Sequence, residues 1–226
     1  MTTASASEQL ALTASEFLRN RLAQRENVCV TSSFQAEDMV VVHMIRAILP
    51  RVPVLFLETG YHFPETIVYR NQMVADWNLN LVVVEPERTV AEQEAEFGIL
   101  NQTAPDRCCA LRKVEPLFRS LAPYSVWLTG LRREQSKSRA NLQVEDAFTL
   151  PAGQTIAKLS PLAEWTTRDV WRYAEANTIP LLPHYEQGYT SIGCAPCTSL
   201  PFDPEDPRSG RWSGRKLECG IHLQAT

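Results

Sequence analysis

Residues 28–45 read VCVTSSFQAEDMVVVHMI, and this stretch decides the fold. Its first five residues are mostly apolar and β-branched, which is typical of a strand buried on both faces, and Cys29 within it is predicted to be a core residue. The apolar run 39–45 is predicted to be a helix. A strand that leads directly into a helix exposes backbone N–H groups and the positive end of the helix dipole. We therefore expect an anion site near Ser32 and Ser33.

The same alternation of strand and helix continues along the chain. Further elements are predicted as strands over 53–58, 81–84 and 125–129 and as helices over 64–77 and 107–121. Because such alternation builds βαβ units, the sequence predicts an α/β fold with a doubly wound, mainly parallel sheet. The ligand site of such a sheet lies at the carboxyl ends of its strands. The residues predicted to lie there are Ser32, Ser33, Thr59, Gly60, Gly130, Arg132 and Arg133.

The segments outside this strand–helix alternation are predicted from weaker sequence patterns. Apolar residues at helical spacing indicate a first helix over 8–25, and capping residues predict helices that begin at Thr89 and Thr166. The less regular stretch 142–159 is predicted to hold a short hairpin or edge strands. From Pro180 onward prolines and glycines dominate, so we expect an irregular tail folded over the carboxyl ends of the strands.

Length and composition indicate one domain over residues 1–226, with a core of about 28–180 and a cluster-binding and catalytic tail of about 181–226. The formal net charge of −4 argues against a general nucleic-acid-binding surface. No window reaches the roughly 18 apolar residues that span a bilayer, and residues 1–8 lack a secretory signal. We expect a cytoplasmic protein without a membrane or nucleic-acid partner, and a homo-oligomer is compatible with this composition.

Four of the six cysteines form two close pairs, Cys108 with Cys109 and Cys194 with Cys197. In the cytoplasm such pairs are predicted to be metal ligands or redox groups rather than structural disulfides. Four thiolates suit either Zn²⁺ or an iron–sulfur cluster, and a regulatory disulfide is a third alternative. Because adjacent side chains on a helix diverge by about 100°, Cys108 and Cys109 fit one small tetrahedral ion poorly. This geometry favours a [4Fe–4S] cluster.

Cys219 has no cysteine near it in the sequence. It follows Arg215 and Lys216, precedes Gly220, and is followed three residues later by His222. Nearby positive charge favours the thiolate, so Cys219 is predicted to be a nucleophile; the alternative is an unremarkable cysteine near a frayed terminus. His222 is open to three interpretations: a base, a ligand contact or a packing residue.

Cationic residues stand beside these motifs and suit a phosphate, sulfate or phosphosulfate ligand. They are Arg112, Lys113, Arg132, Arg133, Arg208, Arg211, Arg215 and Lys216. Glycine-rich phosphate-binding motifs are absent from the sequence, which argues against a P-loop NTPase or a dinucleotide dehydrogenase. Glu37, Asp38 and Glu58 could bind Mg²⁺. We favour another interpretation, in which Glu37 and Asp38 interact with the dipole of the helix that they begin and Glu58 accepts a hydrogen bond at the end of a strand.

Six motifs, taken in order, resemble those of the assimilatory adenylylsulfate/phosphoadenylylsulfate reductases. They are residues 33–38 (SFQAED), 58–66 (ETGYHFPET), 108–117 (CCALRKVEPL), 129–136 (TGLRREQS), 188–198 (GYTSIGCAPCT) and 218–222 (ECGIH). The resemblance covers about residues 28–223. The two cysteine pairs are similar to the iron–sulfur branch of that family, which reduces adenosine 5′-phosphosulfate (APS); the branch that uses the 3′-phosphorylated form (PAPS) lacks them.

The resemblance implies an adenine-nucleotide α-hydrolase-like sheet and a [4Fe–4S] cluster on Cys108, Cys109, Cys194 and Cys197. It implies that Cys219 attacks the sulfur of APS, releasing AMP, and that thioredoxin then releases sulfite from the S-sulfonated cysteine. Phosphosulfate contacts are implied for Lys113, Arg132 or Arg133, Arg208, Arg211 and His222. Contacts with the nucleotide are implied for Ser32, Ser33, Thr59 and Gly130.

The sequence departs from the family pattern in ways that leave the substrate open between APS and PAPS. The family usually has Asp where this chain has Glu58 and Pro where it has Lys137, and the wording Tyr61-His62-Phe63-Pro64 is commoner in the PAPS branch. Two other classes compete with a reductase. ATP pyrophosphatases on a similar sheet need a Ser-Gly-Gly-type loop, which residues 33–36 lack. A four-cysteine metal-binding or electron-carrier protein would not need Cys219.

Overall fold

A computed structural model describes residues 6–216 and 218–222; the other positions of the predicted domain, 1–5, 217 and 223–226, lie outside the described residues. The helices are α1 (Ala6–Leu22), α2 (Ala36–Arg46), α3 (Pro64–Trp77), α4 (Val90–Phe97), α5 (Leu100–Thr103), α6 (Pro105–Cys109), α7 (Glu115–Leu121) and α8 (Thr167–Ala176). The strands are β1 (Val28–Thr31), β2 (Pro53–Leu57), β3 (Asn80–Val84), β4 (Val126–Leu128), β5 (Glu145–Thr149) and β6 (Thr155–Leu159).

The strands form one sheet in the order β3-β2-β1-β4-β6-β5. The first five strands in this order are mutually parallel, and only β5 runs antiparallel, at one edge. The strand order reverses direction at β1, which has β2 on one side and β4 on the other. The predicted doubly wound, mainly parallel sheet is therefore confirmed, and its central crevice lies beyond the carboxyl ends of β1, β2 and β4.

Apolar side chains bury both faces of the sheet. One face packs against α1, α2, α3 and α8 through a cluster that includes Leu18, Val41 and Met73. The other face packs against α7, where Leu117 and Leu121 are fully buried. Because both faces are covered, the central strands β1, β2 and β4 are almost continuously apolar, and this pattern is what allowed their prediction from the sequence.

The predicted segment 142–159 is a hairpin, as expected. Its second strand, β6, pairs in parallel with β4 inside the sheet, and its first strand, β5, forms the edge. The predicted capping residues also act as such: Thr89 and Thr166 each accept a hydrogen bond from the amide three residues on, in complete capping boxes.

The prediction of a single helix over 107–121 is wrong in one respect. The helical segment begins at Pro105 and is interrupted by a π-helical turn, Ala110–Val114, before α7. In this turn the amide of Glu115 bonds to the carbonyl of Ala110, five residues back. Pro116 has no N–H to donate to the residue four positions before it, which favours the wider turn. The turn follows Cys109 directly and carries Lys113.

Beyond residue 180 the described chain contains short 3₁₀ turns and loops, as predicted. These include Pro183–Tyr185, Ala195–Cys197 and Trp212–Gly214, and one isolated β-bridge joins Thr198 to Arg211. None of the described helices has the length and apolar character required to cross a membrane.

Candidate active site

A cavity of about 200 Å³ lies at the carboxyl ends of the central strands. The loop after β1 contributes Ser32 and Ser33, the loop after β2 contributes Thr59, and the loop after β4 contributes Gly130. These four predicted nucleotide-rim residues are thus brought together, because parallel strands end on the same side of a sheet. The remaining wall includes Asp38 at the start of α2, Arg139 in the turns after β4, Lys113 in the π turn and residues from Thr190 onward.

The closeness of α2 to β4 depends on Gly130. A Cβ atom at this position would overlap the carboxylate and backbone nitrogen of Asp38. Asp38 in turn accepts hydrogen bonds from the amide and hydroxyl of Ser33, at 2.6 and 2.7 Å. Burial raises the pKa of Asp38 to about 6, although the bonds from Ser33 oppose this shift.

The predicted anion site at the start of α2 is occupied by groups of the protein itself. The Ser33 amide bonds to Asp38, the Phe34 amide to the hydroxyl of Ser32, and the Ala36 amide to the hydroxyl of Tyr185. These three amides are therefore not available to a ligand. Positive charge for an anionic ligand has to come from side chains elsewhere on the cavity wall.

The adjacent arginines predicted on the rim have other partners. Arg132 lines the cavity, but its buried guanidinium pairs with Glu37 at 2.7 Å and Glu134 at 2.8 Å. Arg133 does not line the cavity; it donates to the carbonyl of Leu142 and pairs with Glu164. Arg133 begins the 3₁₀ turn Arg133–Gln135, and this change of backbone direction places it outside the cavity lining, unlike Arg132.

Besides Arg132, the cations that line the cavity are Lys113, Arg139, Arg208 and Arg211. Arg211 is buried against Gly193, where a Cβ atom would overlap the guanidinium, and its Nε donates to the carbonyl of Cys197. Arg208 donates to the hydroxyl of Ser191 at 3.2 Å. Burial lowers the pKa of Arg208 to about 10, and the charge of Arg139 adds to this effect. Several like charges therefore share one poorly solvated wall.

Lys113 lies between the cavity and the cysteine pairs. Burial alone would lower the pKa of its ammonium, but Cys194 and Cys219 overcome this and raise the pKa above its ordinary value. The same charge acts on Cys194: burial raises the pKa of that thiol, Lys113 lowers it, and the net shift is downward. Lys113 is therefore held in its charged form next to both sulfurs.

The end of the described chain brings Cys219 and His222 to the same cavity. Gly220, between them, has φ +94°, a conformation that favours glycine. The imidazole of His222 stacks on the indole of Trp127 with the ring centres 5.5 Å apart. Burial, with added repulsion from Lys158, Arg139 and Arg208, lowers the pKa of His222 well below its usual range. At neutral pH this imidazole is uncharged.

Glu218, the residue before Cys219, is bound to the wall of the cavity. Its carboxylate accepts from Arg139 Nε at 2.8 Å and Nη2 at 2.7 Å, and from Ser138 at 3.0 Å. Burial opposes ionisation of Glu218, but the hydrogen bonds and charge of Arg139 lower its pKa below the ordinary value. This two-bond ion pair fixes the chain next to Cys219.

The four paired cysteines line a second, smaller cavity next to the first. Arg112, Lys113 and Trp212 complete much of its wall. Burial raises the pKa of Cys108 to about 11, and the other three cysteines add to the rise. Cys108, Cys109, Cys194 and Cys197 therefore line one cavity, although within residues 6–216 and 218–222 no three Cys, His, Asp or Glu side chains are placed to hold a single metal ion.

Thr59 connects the two cavities. Its hydroxyl lies 3.3 Å from Cys194 Sγ, and its carbonyl accepts a hydrogen bond from the buried Arg112. Arg112 also donates to Gln93 in α4 and to the carbonyl of Arg88. The guanidinium of Arg112 is thus used to hold the loop after β2 against the cysteine cavity.

The sequence did not indicate four residues of the site. They are Trp127, Arg139, Lys158 and Glu218, the last of which pairs with a cation of the cavity wall. Trp127 and Lys158 lie in strands and resembled ordinary core and surface positions. Arg139 follows the motif 129–136 by three residues and carries no pattern of its own. Glu218 belongs to a quoted motif, and its position directly before Cys219 was the one signal that could have marked it.

The fold and the two cavities define a class of α/β proteins in which a thiol on a C-terminal tail faces a cationic cavity at the carboxyl ends of a parallel sheet. Residues 27–200 match the model of the phosphoadenosine phosphosulfate reductase domain, and the chain belongs to this family.

Curated and solved relatives agree with this assignment. The chain is 48% identical to an adenosine 5′-phosphosulfate reductase of Streptomyces coelicolor, over 87% of this chain and 82% of the relative. It is 43% identical to a phosphoadenosine 5′-phosphosulfate reductase of Gloeobacter violaceus, over 87% of this chain and 83% of the relative. A crystal structure of phosphoadenylyl-sulfate (PAPS) reductase from Candida auris in a phosphate complex superimposes with a TM-score of 0.70 at 26% identity, covering 86% of this chain and 97% of that one. The adenine-nucleotide α-hydrolase-like fold that the resemblance implied is confirmed.

Proposed function

We propose that this protein reduces adenosine 5′-phosphosulfate to sulfite and AMP. One observation carries the proposal: the thiol of Cys219 shares a cavity with Lys113, Arg208 and Arg211 at the nucleotide-binding end of the sheet. The similarity to reductases named for APS supports this substrate. A metal-binding or electron-carrier protein would need neither the cavity nor the placement of Cys219.

In the first step the thiolate of Cys219 attacks the sulfur of APS. A sulfur–sulfur bond forms, the bond from sulfur to the phosphate oxygen breaks, and AMP leaves with the electron pair. Lys113, Arg208 and Arg211 bind the phosphosulfate and stabilise the negative charge that shifts to the leaving phosphate. The product is an S-sulfonated Cys219 and free AMP.

In the second step a dithiol protein supplies two electrons, and we propose thioredoxin in this role. One thioredoxin thiolate attacks Cys219 Sγ, sulfite leaves, and a mixed disulfide forms. The second thioredoxin thiol then releases Cys219 as a thiol and leaves thioredoxin oxidised. This chemistry fits the cytoplasm, where thiols are kept reduced.

Because His222 is neutral, it can contact the phosphosulfate only through a hydrogen bond and not as a cation. Since the low pKa leaves its imidazole uncharged, it can hydrogen-bond to the sulfate oxygens but adds no charge. Its Nδ1 is buried and has no hydrogen-bond partner in the described part of the chain. A sulfate oxygen bound there would satisfy this buried nitrogen.

The four paired cysteines fit a [4Fe–4S] cluster. They supply four sulfur donors around one cavity, three of them buried and that of Cys197 partly exposed, and Lys113 and Arg112 at its wall would offset the negative charge of four thiolates. When bound, the cluster supplies a compact charged group next to Lys113. Lys113 would then act as the electrostatic connection between that group and the phosphosulfate, because it is close to both Cys194 and Cys219.

A PAPS reductase is the second candidate, because a relative 43% identical carries that name. The two substrates differ by one 3′-phosphate, so initial rates of sulfite release with each, at matched concentration and with thioredoxin present, decide between them. A rate with PAPS equal to or above that with APS would replace the first assignment by the second.

The mechanism is tested without any reductant. Protein is incubated with APS, and the peptide that carries Cys219 is examined by mass spectrometry. We expect a mass increase of one SO₃ group on Cys219 and one equivalent of AMP. Cys29→Ser serves as the matched control, because Cys29 is buried in β1 away from the cavity. Absence of the adduct on Cys219 in active protein contradicts the mechanism.

A further inference from the structure

Lys158, in the middle of β6, is a buried cation with an unusual set of neighbours. Its side chain is 6% exposed, and its Nζ lies 5.0 Å from the ring centre of Trp127 and 5.2 Å from that of Phe148. The carboxylates whose charge acts on it are those of Glu218 and of Asp146, its register partner in β5, and in the described part of the chain neither forms an ion pair with it within 4 Å. Burying an ammonium group without a close carboxylate costs several kcal/mol. A residue kept at such a cost is a candidate for a functional role.

The hydrogen bond that Lys158 makes is to the C-terminal tail. Its Nζ donates to the carbonyl of His222 at 3.2 Å. The same indole that lies beneath the ammonium also stacks on the imidazole of His222. Trp127 and Lys158 are neighbours on adjacent strands, since they are register partners of β4 and β6. The sheet therefore offers a prepared platform for residue 222.

The tail is thus held on both sides of Cys219. Before it, Glu218 is bound by Arg139, and three residues after it, His222 is bound by Lys158. Gly220, with φ +94°, lies between the two contacts. Because Gly220 follows Cys219 directly and is flexible, the contact at Glu218 does not by itself fix the chain beyond Cys219, and the thiol could turn away from the cavity. The second contact, at His222, removes this freedom.

We infer that Lys158 is a positioning residue: its ammonium holds the carbonyl of His222 and so keeps Cys219 directed into the cavity. Burial lowers the pKa of this ammonium to about 8, with Asp146 opposing the shift, so the side chain is mainly charged at neutral pH. The inference rests on the proposed function only in giving Cys219 its catalytic task; the placement of the thiol is measurable by itself.

The test measures the accessibility of Cys219 in Lys158→Met, which has similar length and no charge. Purified protein is treated with limiting iodoacetamide at pH 7, and the rate of labelling of the Cys219 peptide is followed by mass spectrometry. We expect labelling on the order of tenfold faster than in wild type, as expected for loss of one charge-assisted hydrogen bond. Lys137→Met is the matched control, since Lys137 is exposed and outside the cavity, and should label as wild type does. Lys158→Arg retains a donor and should label at close to the wild-type rate.

A second readout separates positioning from simple support of the fold. Because replacing a buried charge by an apolar side chain is often neutral or stabilising, Lys158→Met should keep or raise the melting temperature while S-sulfonation by APS slows. Unchanged labelling of Cys219 overturns the inference whatever the activity; so does a lowered melting temperature with equally faster labelling of Cys29, which would indicate general loosening. If Cys219 labels faster in Lys158→Met and the wild-type protein forms no adduct with APS, the inference stands and the proposed function is refuted.

Discussion

Glu218→Gln isolates the contact between the tail and the cavity wall. The substitution keeps the size of the side chain and removes its charge. In the wild type the two oxygens accept from Arg139 Nε and Nη2 at 2.8 and 2.7 Å. In the variant an amide NH₂ replaces one acceptor and faces a guanidinium donor. At least one charge-assisted bond is lost, and such a bond contributes about 1.5 to 3 kcal/mol.

At the lower end of that range the tail is released by a factor of about ten. We therefore expect kcat for sulfite release to fall about tenfold. The Michaelis constant should not rise, because Arg139 and Arg208 lose a competing carboxylate and become more available to an anionic substrate. A fall in kcat without a rise in the Michaelis constant is the signature of a positioning contact rather than of a lost binding group.

The assay compares steady-state sulfite release and single-turnover S-sulfonation in Glu218→Gln and in a matched control, Glu164→Gln. Glu164 also pairs with an arginine, Arg133, but this pair is exposed and lies outside the cavity. The kcat of Glu164→Gln should stay within about a factor of two of the wild-type value, because the loss of an exposed ion pair has little effect. An unchanged kcat in Glu218→Gln, or an equal loss in both variants, refutes the reasoning.

Three further predictions concern other residues that line the cavity. Lys113→Ala should leave the visible absorbance of a bound cluster intact and lower the rate of S-sulfonation about 100-fold or more, as removal of a preorganised charge does; an unchanged rate contradicts this. Arg211→Gln should raise the Michaelis constant for APS, whereas Arg133→Gln should leave it unchanged, and equal effects would show that the cavity is assigned wrongly. Because burial raises the pKa of Asp38 to about 6, its protonated form stabilises the fold below about pH 4, and this contribution is lost as pH rises to 6. Chemical denaturation of Asp38→Asn between pH 4 and 7 should therefore show less loss of stability with rising pH than wild type, and parallel curves would exclude this origin.

The segment around Cys219 shows where prediction from the sequence stops. The pairing of cysteines and the isolation of Cys219 are visible in the sequence, and the structure brings all five to adjacent cavities. What holds Cys219 is not visible, because Arg139 is 79 residues from Glu218 in the sequence and Lys158 is 64 residues from His222. No local pattern relates residues so far apart.

The sequence by itself determined the central strands, the order in which helices follow them, and the end of the sheet where the cavity lies. It could do so because burial on both faces requires continuous apolar runs, and because parallel strands bring all their following loops to one edge. Which charges line the cavity without a carboxylate partner of their own was decided only by the tertiary structure. Arg132 meets Glu37, 95 residues away in the sequence, and the Ala36 amide meets Tyr185, 149 residues away. A charged or polar group is satisfied by whatever the fold brings within about 3 Å of it, and that neighbour is set by the packing of the whole chain.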